Sequence, residues 1–235
     1  MNKLKLLLPC ITAASMLVAV HAGASSKKNF YVTVPFGYDF LTNKKNNVGA
    51  SPSATLKNTP FVGLGAGYDF GGIRAELSFN YRNKMNAVID SVRTGTAAYG
   101  KYSEMKIKAY SLMLDLYKDF DIGSDFTPYV TAGLGCTRFK TGDYTFTRYG
   151  SRTNLPIRGS STTESGKSSN SFAWRVGFGM NYKLTDAMDF GLGYAYNYLG
   201  KITRIDPYGI QKGDGSSNKL KFASNEIVAN IKFKF

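Results

Sequence analysis

Side-chain character alternates with a period of two residues in eight separate stretches, and this limits the chain to β-structure more tightly than any other feature. Ile73, Ala75, Leu77, Phe79 and Tyr81 share one face, while Arg74, Glu76, Ser78, Asn80 and Arg82 share the other. The same pattern runs over Phe30–Phe40, Phe61–Asp69, Lys108–Tyr117, Thr127–Phe139, Ser171–Tyr182, Asp189–Tyr198 and Glu226–Phe235. Strands of about 9–11 residues have the length that crosses a bilayer when tilted. The connections alternate. Asp69–Gly72, Lys118–Phe126 and Lys183–Met188 are short; Leu41–Pro60, Asn83–Met105, Lys140–Asn170 and Leu199–Lys219 are long. All long connections therefore leave one end, as in outer-membrane barrels. The predicted fold is all-β, an eight-stranded antiparallel up-and-down transmembrane β-barrel.

The N-terminus sets the compartment. Lys3 and Lys5 precede a mostly apolar run to Val20, and Ala22-Gly23-Ala24 supplies a small-residue cleavage site. This reads as a signal peptide over residues 1–24, with the barrel and its four long extracellular loops over 25–235. Cleavage removes His21, the only histidine, and Cys10, leaving Cys136 alone. The mature chain then has no histidine base to activate a serine and no His–Cys metal set, so neither an enzyme nor a bound cofactor is expected. Gly63-Leu64-Gly65-Ala66-Gly67 superficially resembles a phosphate loop, but it lies inside a strand with no helix after it.

An eight-stranded barrel has an interior only wide enough for side chains. Bulky rings on all eight strands would overfill it, whereas the Gly, Ala and Ser of the opposite set, with a few long charged residues, would fit. The aromatic face is therefore placed outward, toward lipid. With the first strand running up from the periplasm, Phe30, Tyr68, Tyr182, Phe190, Phe233 and Phe235 gather at the lower rim. Tyr38, Tyr81, Tyr110, Phe172, Tyr196 and Tyr198 gather at the upper rim. Two such belts suit the two headgroup regions. The inward set contains Arg74, Glu76, Asp115, Arg175 and Lys232, which are expected to form an ion-pair network that plugs the lumen.

Several segments resemble a known family. Phe126-Thr127-Pro128-Tyr129-Val130-Thr131-Ala132-Gly133-Leu134-Gly135 is similar to the fifth strand of opacity-protein-like outer-membrane barrels. Ser171-Phe172-Ala173-Trp174-Arg175-Val176-Gly177-Phe178-Gly179, Tyr182-Lys183-Leu184-Thr185-Asp186 and Gly193-Tyr194-Ala195-Tyr196 resemble its sixth and seventh strands. The terminal Ile231-Lys232-Phe233-Lys234-Phe235 resembles the signal read by the barrel-insertion machinery, with Phe233 and Phe235 as its aromatic residues. The resemblance implies a location in the bacterial outer membrane. It also implies a kinship with porin-like surface antigens that include rickettsial-type adhesins.

The formal net charge is +14, or +12 without Lys3 and Lys5, and every long loop is net positive. Lys44, Lys45, Arg93, Lys140, Arg148, Arg152, Arg158, Lys167 and Arg204 are the candidate contact cations, joined in the third loop by Tyr144, Phe146 and Tyr149. Basic loops facing outward attract anionic surfaces. The expected function is a surface adhesin or host-contact protein whose partner is an anionic host surface or a host protein. The alternative is a structural or small-channel envelope protein in which the same cations meet outer-membrane lipid and lipopolysaccharide. Nucleic acid is not expected as a partner for loops that face away from the cell.

Overall fold

The computed structural model describes residues 29–42, 54–83, 85, 87–89, 92–93, 98–102, 106–150, 161–203 and 219–235. The proposed signal peptide lies outside these residues. Fourteen strands are described: β1 (Phe30–Leu41), β2 (Ala54–Leu56), β3 (Thr59–Asp69), β4 (Ile73–Arg82), β5 (Ala87–Ile89), β6 (Val92–Arg93), β7 (Ala98–Tyr102), β8 (Ile107–Asp119), β9 (Phe126–Thr141), β10 (Tyr144–Gly150), β11 (Thr162–Glu164), β12 (Ser168–Thr185), β13 (Met188–Thr203) and β14 (Lys219–Lys234). Eight of them close a barrel in the order β1-β14-β13-β12-β9-β8-β4-β3, with β1 antiparallel to both β14 and β3. Closure leaves no open sheet edge, which is what a lipid surround demands of strands. At the lower rim the Phe235 amide donates to the Phe30 carbonyl at 2.8 Å.

The short turns explain the hairpins. Asp69 Oδ1 accepts from the Gly71 and Gly72 amides at 2.8 and 3.2 Å, and both glycines have positive φ, which suits residues without a Cβ.

The outward face is apolar, as the alternation implies. Phe36, Leu64, Leu134, Phe172, Phe178 and Leu192 are among the exposed side chains, while Thr33, Ser78, Ser111, Thr137 and Asn181 of the opposite parity are buried. Rings pair on the outside at both rims: Phe30 with Tyr68 and Phe126 with Tyr182 below, Tyr81 with Tyr110 and Trp174 with Tyr196 above.

Two expectations need correction. The upper ends of four strands run further than the 9–11 residues read from the pattern: β9, β13 and β14 have 16 residues each and β12 has 18. Lys140 and Lys201 therefore stand in strands rather than loops, and Lys219 begins β14. The parity breaks at a bulge between Tyr198 and Gly200, where Gly200 has φ +115°, so the simple alternation ends before the strand does. Second, the long connections carry strands of their own. β11-β10-β7-β6 form a four-stranded sheet and β2-β5 a two-stranded one. β7 belongs to the second long connection and β10 to the third, and they pair from Phe146↔Tyr102 to Gly150↔Ala98. The Ser- and Thr-rich stretch 160–171 contains β11 and the start of β12 in its described part.

Candidate functional site

The lumen holds charges in tiers, because inward positions recur every second residue on neighbouring strands. In the lowest tier Arg74 Nε and Nη2 donate to the two carboxylate oxygens of Asp119 at 2.6 and 2.9 Å. Its guanidinium also lies 4.4 Å from the Tyr117 ring centroid and 5.5 Å from that of Tyr129. Beside it Asp189 receives both Lys232, at 2.8 Å, and Lys234, at 2.7 Å. In the middle tier Arg175 binds Asp115 through two nitrogens at 2.6 and 2.5 Å, and Ser78 donates to the same carboxylate at 3.0 Å. In the upper tier Arg82 donates to Asp39 at 2.6 Å and to Glu226 at 2.8 Å. Ser224 donates to Asp39 and Asn197 to Glu226, and Arg175 lies 3.9 Å from Glu226, which links the two tiers.

The five sequence-proposed lumen residues are therefore all inside, but they do not form one cluster with each other. Of them only Arg175 and Asp115 pair directly; Arg74 and Lys232 take Asp119 and Asp189 as partners. Glu76 is buried opposite Asp115 in the β4–β8 register. The residues missed were Asp39, Arg82, Asp119, Asp189 and Glu226. Their signal was present: each occupies the inward parity of its strand, and charge inside a narrow barrel calls for a partner.

Above the ionic tiers the lumen turns apolar. Leu41, Met85, Ile107, Ala109, Phe139, Leu199 and Phe222 are buried together, with Ile202 packed against them. The Phe139 and Phe222 rings stand 4.8 Å apart. Phe61 joins the boundary, its ring 4.9 Å from the Arg82 guanidinium. Below, a cavity of about 40 Å³ lies among Glu76, Thr131, Arg175, Asn181 and Asn230. Thr131 Oγ1 and Asn181 Nδ2 have no protein partner among the described residues, which suits a pocket with room for about three waters. Tyr129 crosses the lumen here because Gly179 and Gly193 leave space; a Cβ on either would stand 2.5 Å from its hydroxyl oxygen.

The candidate contact residues fall into three groups. Lys44, Lys45, Arg152, Arg158 and Arg204 lie outside the described residues. Tyr144, Phe146, Arg148 and Tyr149 sit in β10 and Arg93 in β6, so they belong to one sheet; Tyr149 pairs with Tyr99, and so does Arg93. Lys167 precedes β12, its carbonyl-to-Thr141 hydrogen bond measuring 2.9 Å, and Lys140 is exposed on the outer face of β9. Phe233 and Phe235 are exposed at the lower rim.

Comparison with known proteins gives consistent results. Residues 10–235 match the family described as "Outer membrane protein beta-barrel domain". The outer membrane protein PagN of Salmonella typhimurium is 26% identical, over 94% of this chain and 95% of its own. The crystal structure of Neisserial surface protein A matches with a TM-score of 0.53 at 20% identity, covering 91% of this chain and 100% of that one.

Proposed function

Because the chain belongs to the outer-membrane β-barrel family and sits in the bacterial outer membrane, we propose that it acts as an adhesin or host-contact protein, its closed barrel serving as the platform for basic extracellular loops. The observation that carries this reading is the sheet shared by the second and third long connections, β11-β10-β7-β6, above a lumen filled by paired charges and apolar side chains. A filled lumen leaves the outer loops as the part available for partners. A sheet spanning two loops holds its residues in fixed register, which lowers the ordering cost of binding. The same sheet carries Arg93, Arg148 and Lys101 with Tyr99, Tyr144, Phe146 and Tyr149 in its strands. Cations interleaved with aromatics suit an anionic, glycan-bearing host surface, and the outward position leaves no route to nucleic acid. Binding rather than catalysis is the activity proposed.

The test is attachment of a non-adherent bacterium displaying the protein to cultured host cells. Replacing residues 144–167 by a short Gly-Ser linker is expected to abolish attachment, and R148Q/R152Q/R158Q to reduce it in a salt-dependent way. Undiminished attachment by both variants, with heat-modifiable gel mobility intact, overturns the loop assignment and favours a structural envelope role.

A further inference from the structure

The outward face of the upper rim carries cations that the lumen and the loop sheet do not use. On β8 and β9 the outward residues pair in the order Lys118↔Val130, Leu116↔Ala132, Leu114↔Leu134, Leu112↔Cys136, Tyr110↔Arg138 and Lys108↔Lys140. Lys108, Arg138 and Lys140 are all exposed, with Ile107, Ala109, Thr137 and Phe139 buried between them. Lys108 and Lys140 are thus a directly opposed like-charge pair, an arrangement that costs stability unless an anion lies between them. None of the three has an acidic partner among the described residues; Lys140 rests 5.3 Å from the Tyr110 ring.

The pattern repeats two strands along, where Lys201 opposes Lys221 across β13 and β14, both exposed. Asn170 of β12, opposite Arg138, stands between the two pairs. The outward upper ends of β1 and β3 instead present Tyr38, Phe40 and Val62.

Height gives these cations their meaning. Lys118 and Lys108 are ten residues apart on one strand, with only apolar residues and Tyr110 outward between them. A rise of ~3.4 Å per residue on a strand tilted about 40° places them about 26 Å apart along the barrel axis. That matches the ~25 Å apolar band of such barrels, so Lys108 stands just outside the hydrocarbon, at the headgroup level of the outer leaflet.

We propose that the upper outer face of β8 and β9, through Lys108, Arg138 and Lys140, binds the phosphate groups of an outer-leaflet glycolipid, with its acyl chains lying along Leu112, Leu114 and Leu134. The two adjoining chemistries, a cationic rim and a smooth aliphatic wall directly below it, match the two ends of such a lipid. A soluble anion would use only the rim. Lys140 is thereby assigned to lipid rather than to the host-contact loops.

The experiment uses the full mature chain folded in neutral detergent micelles. It is titrated by microscale thermophoresis with lipid A bearing two phosphates, dephosphorylated lipid A, phosphatidylcholine, inorganic phosphate and a heparin oligosaccharide. The wild type is expected to prefer bisphosphorylated lipid A over the dephosphorylated form, and K108Q/R138Q/K140Q to weaken it on the order of a hundredfold, each cation near the surface contributing about fivefold. K118Q, at the inner rim, is expected to bind as the wild type does, and inorganic phosphate at millimolar concentration not to displace the lipid. Heat-modifiable gel mobility checks folding of each variant. Equal affinity of wild type and triple variant overturns the proposal. So does displacement by inorganic phosphate, or a patch that takes heparin and not lipid A.

Discussion

The lower and upper halves of the lumen are filled by opposite chemistries. Below, Arg74, Arg175, Arg82 and Lys232 meet carboxylates at 2.5–2.8 Å. Above, Phe139, Phe222, Leu199 and Ile107 pack without a charge among them. The two closures fail in different ways. Each apolar group loses only its own contacts when truncated, so damage is graded. The buried Arg82 serves two acids at once, so its removal strands both of them.

Arg82→Met should therefore give the largest effect. Asp39 and Glu226, both almost fully buried, would lose their shared guanidinium, and the cost should be about 3–5 kcal/mol. Urea unfolding in micelles, followed by Trp174 fluorescence, measures it. The triple variant R82M/D39L/E226L tests whether the cost is the stranded charge: recovery to near wild-type stability is expected, and failure to recover would assign the cluster a packing role instead. Phe222→Ala in the upper half should cost about 3 kcal/mol and respond to refilling with Leu or Met, which no single replacement should achieve at Arg82. Gly193→Ala forces the Tyr129 hydroxyl aside and should lower stability by about 1–3 kcal/mol, seen as a lower urea midpoint. Smallest of all, Lys183→Gln should leave the midpoint unchanged. Lys183 and Asp186 pair at 2.7 Å at the periplasmic turn, and although this contact raises the Lys183 pKa, both groups face water.

The two halves also differ in how visible they were in the sequence. The ionic half was legible because a charged residue alternating with apolar ones at a fixed parity stands out, as Arg74 and Glu76 do between Ile73, Ala75 and Leu77. What parity could not supply was pairing. Arg74 and Asp119 are 45 residues apart, and Arg82 and Glu226 are 144 apart, so their meeting depends on closure and register rather than local pattern. The apolar half was hidden for a different reason. Phe139, Leu199 and Phe222 point inward where the rule for membrane barrels expects polar groups. That rule holds inside the bilayer, but β9, β13 and β14 continue above it, where an inward apolar core faces the same demand as in a soluble protein. The bulge at Gly200 removed the remaining clue by breaking the period just before Lys201 and Ile202. The β7–β10 pairing was illegible because it joins two loops whose partners are more than 40 residues apart.

With both halves of the lumen filled, no open path for ions runs through the barrel, as the proposed outward-facing role requires. Single-channel recording of the purified protein in planar bilayers tests this most directly. No stable conductance steps are expected from the wild type across physiological voltages, and brief openings at most when the Arg175–Asp115 tier is removed by R175A. Long-lived, large openings from the wild type would contradict a filled lumen.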